Sequence, residues 1–287
     1  MIKLLPVIDS DQIAETRKAE LAVSRQYATE LGRTAIKAIE EGYYRKDGKD
    51  IHWKKEVDHA VQLKRSIPLD EHIPLVIEKL FQETRLQISN ETTLGASHRL
   101  TEMGLKPLAL NFANGVSAGG GFYNGARAQE EVLCRSSALY ATLRGDPMYA
   151  FHKKRPEPDS SDWVIYSPNV PVFRNDDGSN LDKPWLLSFV TCAAPYAPNV
   201  GQPRSADLLK KRIHRVLKIA KFLGYSTLVL GAWGCGAFKN DVQQTASDFR
   251  TALETEFSGS FSEIVFAITD WSEERRILGP FCETFNS

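Results

Sequence analysis

The stretch Gly119-Gly120-Gly121-Phe122-Tyr123-Asn124-Gly125-Ala126-Arg127-Ala128-Gln129-Glu130-Glu131 organises the reading of this chain. Three consecutive glycines let the backbone approach a ligand with no Cβ in the way. The Gln129-Glu130-Glu131 triplet then opens an apolar-periodic helix carrying Val132, Leu133, Leu139, Tyr140 and Leu143. A loop suited to phosphate oxygens beside two carboxylates is what acid–base hydrolysis at a nucleotide–sugar bond requires. An acidic first turn alone is common, because carboxylates suit the positive end of the helix dipole. The upstream segment Asn111-Phe112-Ala113-Asn114 tilts the reading toward a ligand site.

Around that stretch, strands and helices alternate, which predicts a three-layer α/β architecture. Arg85 to Ser89 reads as a strand and Glu91 to Met103 as a helix. Pro107 to Ala113 reads as a buried strand that delivers Asn114 and the glycines at its carboxyl end. Trp163 to Tyr166, Trp185 to Cys192, Thr227 to Leu230 and Phe261 to Thr269 complete the strand set. Gly145 to Pro184, rich in proline and turn residues, reads as a long irregular excursion at the rim of a site. Ser205 is expected to cap a helix with the stripe Leu209, Ile213, Val216, Ala220 and Leu223, closed by Gly224.

A second glycine-rich turn, Leu230-Gly231-Ala232-Trp233-Gly234-Cys235-Gly236-Ala237-Phe238, follows a strand directly. Asn240 is expected to cap the next helix, with Gln243 at the reciprocal position. A strand, a glycine turn and a helix N-terminus aim several N–H groups at one point, which suits a diphosphate. No Gly-Lys-Ser/Thr follows, and the dinucleotide fingerprint is absent. Both glycine turns fall at carboxyl strand ends, where open α/β sheets bind ligands.

Composition excludes several classes. The 36 basic and 36 acidic residues cancel, which argues against general affinity for nucleic-acid backbone or anionic membrane. Cys134, Cys192, Cys235 and Cys282 lie far apart with no Cys-x-x-Cys, so they read as free thiols, and no metal ligand set is expected. Neither a signal peptide nor a membrane-spanning run is visible, and a cytoplasmic location is expected. Residues 1–80 read as a helical extension packed on a catalytic domain at 81–287. Its helix runs from Asp11 to Glu41 and ends at Gly42, and Tyr43 to Asp58 reads as a solvated connector with a few anchoring rings.

The run from Leu110 to Tyr140 resembles the signature loop of the microbial-type poly(ADP-ribose) glycohydrolases, a catalytic branch of the macrodomain superfamily. Three glycines, a seven-residue spacer and Gln-Glu-Glu match its pattern. Asn111-Phe112-Ala113-Asn114 is similar to the ribose-contacting asparagine segment of macrodomains. Ile165-Tyr166-Ser167-Pro168-Asn169-Val170, Val172-Phe173-Arg174 and the second glycine turn match in family order, so the resemblance covers roughly residues 85 to 270. It implies a macrodomain-like α/β/α mixed sheet acting on poly(ADP-ribose), with ADP-ribose and ADP-ribosylated proteins as partners and no cofactor.

Adjacent glutamates on a helix point about 100° apart. They cannot readily face each other across a bond at the ~5–9 Å separation of an ordinary glycosidase pair, so one residue must act first as acid and then as base. By resemblance that residue is Glu131, with Glu130 and Asn114 fixing ribose hydroxyls and Gln129 in the substrate-binding set. Gly119, Gly120 and Gly121, with Gly234, Cys235, Gly236 and Ala237, are implied to hold the diphosphate, and Phe238 to stack on the substrate. Arg127 stays outside the site. Two alternatives share the cradle: an ADP-ribose reader without turnover, against which the Gln-Glu-Glu triplet argues, and a hydrolase of single ADP-ribose modifications.

Overall fold

The computed structural model describes residues 1–74, 76 and 78–286. The strands are β1 (Ile2–Leu4), β2 (Tyr43–Lys46), β3 (Lys49–His52), β4 (Arg65–Ile67), β5 (Thr84–Ser89), β6 (Pro107–Ala113), β7 (Val164–Arg174), β8 (Asn180–Ala193), β9 (Thr227–Leu230) and β10 (Glu263–Ala267). The helices are α1 (Asp11–Leu21), α2 (Arg25–Glu41), α3 (Lys54–Leu63), α4 (Thr93–Glu102), α5 (Gln129–Ser136), α6 (Leu139–Leu143), α7 (Pro147–Lys153), α8 (Ala197–Val200), α9 (Arg204–Phe222), α10 (Val242–Glu254) and α11 (Leu278–Asn286).

Among the described residues, eight strands form one sheet in the order β1-β5-β10-β9-β6-β8-β7-β4. The pairs from β1 through β8 are parallel, and β7 and β4 pair antiparallel at one edge. Side chains alternate across a strand, and here they divide between two cores. Leu108, Leu110, Leu228, Leu230, Ile264 and Phe266 face the core built with Leu209, Ile213 and Val216 of α9, Phe249 of α10 and Phe281 of α11. Ala109, Val229 and Val265 face the opposite core with Ala35 of α2, Leu94 of α4, Leu133 of α5 and Leu139 of α6. The result is the expected three-layer α/β/α mixed sheet.

Residues 1–80 carry strands as well as helices. β1 and β4 form the two edges of the sheet, so this segment contributes backbone pairing at both ends. The helical stretch divides in two, because Ser24 accepts from Tyr27 N and caps a new start for α2. Gly42, at φ 76°, closes α2 as expected. The segment read as a solvated connector is a β2–β3 hairpin whose Tyr44 and the following Trp53 are buried. Trp53 packs 4.6 Å from Phe173, and its Nε1 donates to Ala38 O.

The stretch read as an irregular excursion is largely regular. β7 and β8 are long antiparallel partners joined by a turn at Asn175–Ser179. Pro171 lies within β7 near a register shift between Ser167 and Val170. Such irregularities admit proline into a strand, which is why its presence misled the reading. Two caps also differ. Asp241, not Asn240, caps α10 by accepting from Gln244 N at 2.7 Å. Asn240 instead braces the preceding loop through Pro195 O and Gly234 O. α9 starts at Arg204, and Ser205 in its first turn donates to Asn240 Oδ1.

Candidate active site

The carboxyl ends of β6, β9 and β10 open onto one cavity of about 800 Å³. β6 delivers Asn114, β9 delivers the turn from Gly231, and β10 delivers Ile268 and Thr269. The start of α5 closes the floor, with Gln129, Glu130 and Glu131 on the lining.

Each member of the triplet is held differently. Gln129 Oε1 accepts from Phe112 N at 2.8 Å, and its Nε2 donates to Leu110 O at 2.7 Å and Thr93 Oγ1 at 3.0 Å. Its amide therefore braces α5 against backbone groups of the interior strand β6, while Gln129 also lines the cavity. Glu130 Oε2 accepts from Asn114 N at 2.7 Å, and Oε1 lies 3.4 Å from Asn111 Nδ2. Burial pushes the Glu130 carboxyl up to about 8, with the neighbouring Glu131 charge adding to the rise. Glu131 Oε1 accepts from Gly121 N at 2.8 Å. Among the described residues, Glu131 Oε2 has no protein partner.

The triple glycine lies behind the glutamates. A Cβ on Gly119 would stand 2.8 Å from the Phe122 ring, and one on Gly121 would stand 2.9 Å from Ala126 Cβ. Gly119, Gly120 and Gly121 are not on the cavity lining. Close packing against Phe122 and Ala126 at Gly119 and Gly121, and against the two carboxylates at Gly120, is the visible reason for glycine here. In the second turn, Gly234 is at φ 78° and packs against Ala194 and Asn240, whereas a Cβ on Gly236 would meet nothing. Gly234, Gly236, Ala237 and Phe238 line the cavity. Cys235 does not; its thiol points back toward Trp233 O, and burial pushes it up to about 12. Phe238 sits edge-on to Tyr196 at 5.8 Å.

Asn114 serves its own loop as well. Its Oδ1 accepts from Val116 N and Ser117 N, both at 2.9 Å. Arg127 Nη1 donates to Val23 O, and Arg127, left outside the site by the sequence, lines the cavity. Among the described residues, no group of three or more His, Cys, Asp or Glu side chains is placed to hold a metal ion.

The family description "Microbial-type PARG, catalytic domain" matches residues 32–175. The poly(ADP-ribose) glycohydrolase (PARG) of Thermomonospora curvata is 37% identical, with 90% of this chain and 99% of that one covered at a TM-score of 0.84. The chain belongs to the microbial-type PARG family.

The T. curvata PARG bound to the inhibitor ADP-HPD is 38% identical, covering 89% of this chain and 98% of that one at a TM-score of 0.82. The Deinococcus radiodurans PARG in complex with ADP-ribose is 36% identical, covering 84% and 98% at a TM-score of 0.75. No protein of curated description matches the chain. The PARG match begins inside α2 and runs across residue 80, so the catalytic family region includes part of the N-terminal segment.

Several cavity residues of this PARG family member were not read from sequence. Lys18, Leu21 and Ala22 of α1 form part of the wall, and Trp271 and Ile277 another part. Asp270 fixes the Trp271 loop by accepting from Ser272 N, Ile277 N and Leu278 N. The Asp-Trp-Ser sequence at 270–272 was the available signal, since aspartate commonly holds turns through backbone N–H groups. For α1 there was none, because its position follows from tertiary packing alone.

Proposed function

We propose that the protein is a poly(ADP-ribose) glycohydrolase that hydrolyses the 1″–2′ ribose–ribose bond and releases ADP-ribose. The observation that carries this reading is the pair of buried adjacent glutamates, each anchored by a different backbone N–H at the floor of a large cavity. Glu130, raised by burial and held by Asn114 N and Asn111, suits a group that positions ribose hydroxyls. Glu131, anchored through one oxygen to Gly121 N, suits the group that moves the proton.

Glu131 protonates the departing 2′ oxygen as the C1″–O bond breaks. The resulting oxocarbenium-like centre lies near the substrate's own phosphates, whose charge stabilises it. Ionised Glu131 then takes a proton from the water that adds to C1″, which restores the starting acid. Gly234, Gly236, Ala237 and Phe238 hold the diphosphate side of the terminal unit, with Asn114 beside the ribose. This machinery lies within residues 81–287, with residues 1–80 packed on it. The substrates are poly(ADP-ribose) and proteins that carry it. The free state of all four cysteines fits a reducing, cytoplasmic compartment; among the described residues, no helix is long and apolar enough to cross a membrane.

The test is release of free ADP-ribose from poly(ADP-ribosyl)ated protein by wild type and by Glu131→Gln. Release by wild type and none by the variant supports the reading. Tight ADP-ribose binding without release by wild type overturns it.

A further inference from the structure

We infer that Arg275 is a positioning residue: it ties the Trp271 loop to the start of α1, and the joined walls set how long the cavity retains ADP-ribose. The inference rests on the reading above only in taking the cavity as an ADP-ribose site. Two walls of that cavity come from segments far apart in the chain. One is Lys18, Leu21 and Ala22 of α1, and the other is Trp271 and Ile277 of the loop between β10 and α11. α1 has little packing of its own to hold it, since Ala14 is the one buried residue among its eleven. Trp271 is 45% exposed, so the wall presents a broad apolar face that a ligand can cover.

Arg275 spans the two walls. Its Nε donates to Asp9 Oδ2 at 2.8 Å and its Nη2 to Asp11 Oδ1 at 3.0 Å, on either side of Ser10, the cap of α1. Its Nη1 donates to Ser272 O at 2.6 Å, which binds the same guanidinium to its own loop. The Arg275 and Asp9 side chains are 16% and 17% exposed, so this pair is shielded from the solvent that weakens surface ion pairs. The Arg275 backbone sits at φ 49°, a left-handed conformation that persists in a residue with a Cβ only where its surroundings fix it. Gly279 N, at the start of α11, donates to Arg275 O at 2.7 Å. The buried Asn90 repeats the link deeper in the fold, its Nδ2 donating to Asp9 Oδ1 at 2.8 Å and to Asp270 O at 2.6 Å.

Among the described residues, the other hydrogen bonds of residues 271–277 stay within the loop or return to Asp270. Asp270 therefore fixes the two ends of the loop, and Arg275 fixes its middle to α1. A planar guanidinium that holds two carboxylates and a carbonyl at once leaves the loop few alternative positions. A wall ordered before the ligand arrives need not be ordered by it, so the ligand stays longer. Glu130 and Glu131 are held from β6 and Gly121, apart from this link. Loss of Arg275 thus loosens retention and leaves the chemical step alone.

The experiment measures dissociation of fluorescently labelled ADP-ribose, chased with unlabelled ADP-ribose, and single-turnover cleavage of poly(ADP-ribose) at saturating enzyme. The proteins are wild type, Arg275→Met, Arg275→Lys, Trp271→Ala and the double variant Trp271→Ala/Arg275→Met, with thermal melting to establish folding. Arg275→Met raises the dissociation rate about tenfold while single-turnover cleavage keeps its wild-type rate. Arg275→Lys keeps the charge but cannot span both carboxylates and Ser272 O, and falls between. On the Trp271→Ala background Arg275→Met adds no further rise, because the wall that it positions is gone. An unchanged dissociation rate in folded Arg275→Met, or an equal further rise in the double variant, overturns the inference. If Arg275→Met does not fold, Asp9→Asn decides by the same measurement, since it removes the ion pair and keeps an oxygen for Asn90. ADP-ribose binding without cleavage by wild type overturns the hydrolytic reading alone, and the dissociation rates still decide this inference. Absence of ADP-ribose binding by wild type overturns both.

Discussion

A Cβ placed on Gly120 would stand 2.3 Å from Glu131 Oε1 and 3.0 Å from Glu130 Oε2. Gly120 also sits at φ 57°, in the left-handed region that strains any residue with a Cβ. Gly120 thus gives the two carboxylates the space they occupy. Because the obstructed atoms are the ends of side chains, Gly120→Ala displaces the carboxylates more than it disrupts the fold. Its stability cost is roughly 1–2 kcal/mol from the backbone conformation. Displacing the acid by an ångström lowers ADP-ribose release by about 100-fold. Melting and turnover on the same sample check this; a melting collapse with near-normal turnover per folded molecule contradicts it.

Gln129 is the brace between α5 and β6, so its loss appears first in stability. Gln129→Ala leaves Phe112 N and Leu110 O without the partners they have here. Unpaired buried backbone groups cost about 1–3 kcal/mol each, and a total loss of about 2–4 kcal/mol is expected. Urea denaturation measures it. A variant as stable as wild type but with weakened ADP-ribose binding would return Gln129 to the role of a direct substrate contact.

The contrast between Gln129 and Glu131 shows what was legible in the sequence. Motif and spacing located the triplet, the two glycine turns and the strands that deliver them, because each depends on local backbone chemistry. What each side chain touches was not legible. Gln129 bonds Leu110 and Phe112 of β6 and, 36 residues away, Thr93 of α4, and Gly120 is small because carboxylates ten and eleven residues on lie against it, while Gly119 and Gly121 make room for Phe122 and Ala126. The same limit applies to the fold. The apolar runs of β6 and β9 read as strands from their residues alone, but β1 and β4 are short edge strands whose pairing is fixed by distant partners. Asn240 reads as a helix cap from its neighbours, yet Ser205, Pro195 and Gly234 engage its side chain in the fold.

Glu130 gives the protein a stability term that runs against pH. Its carboxyl, ordinarily at 4.5, is pushed up to about 8 by burial. Between those values the folded state retains a proton that the unfolded chain has released, so stability falls as pH rises. The contribution is complete below about 4.5 and lost as pH passes through about 8. Glu130→Gln keeps an oxygen for Asn114 N and removes the titration. Unfolding free energies across this window therefore decline in wild type relative to Glu130→Gln. Parallel curves would place the Glu130 proton elsewhere.

His152 supplies the opposite slope on the acid side. Its Nδ1 lies 2.9 Å from Gly115 O, which only an N–H can satisfy, so Nε2 is the bare nitrogen that accepts from Ser161 N at 3.0 Å. Protonation would set an N–H against that donor. Burial, joined by the nearby Arg212 and Arg155 charges, lowers the imidazole from 6.5 to about 4. Between these values the unfolded chain binds a proton that the folded state refuses, so stability rises with pH from about 4 to 6.5. His152→Asn removes the titrating group. The stability of wild type relative to this variant therefore increases across the window. Because Gly115 follows Asn114 directly, the variant also loosens the turn that presents Asn114 to the cavity, and KM rises more than kcat falls. A constant stability difference across pH, or a fall in kcat alone, would contradict this role for the imidazole.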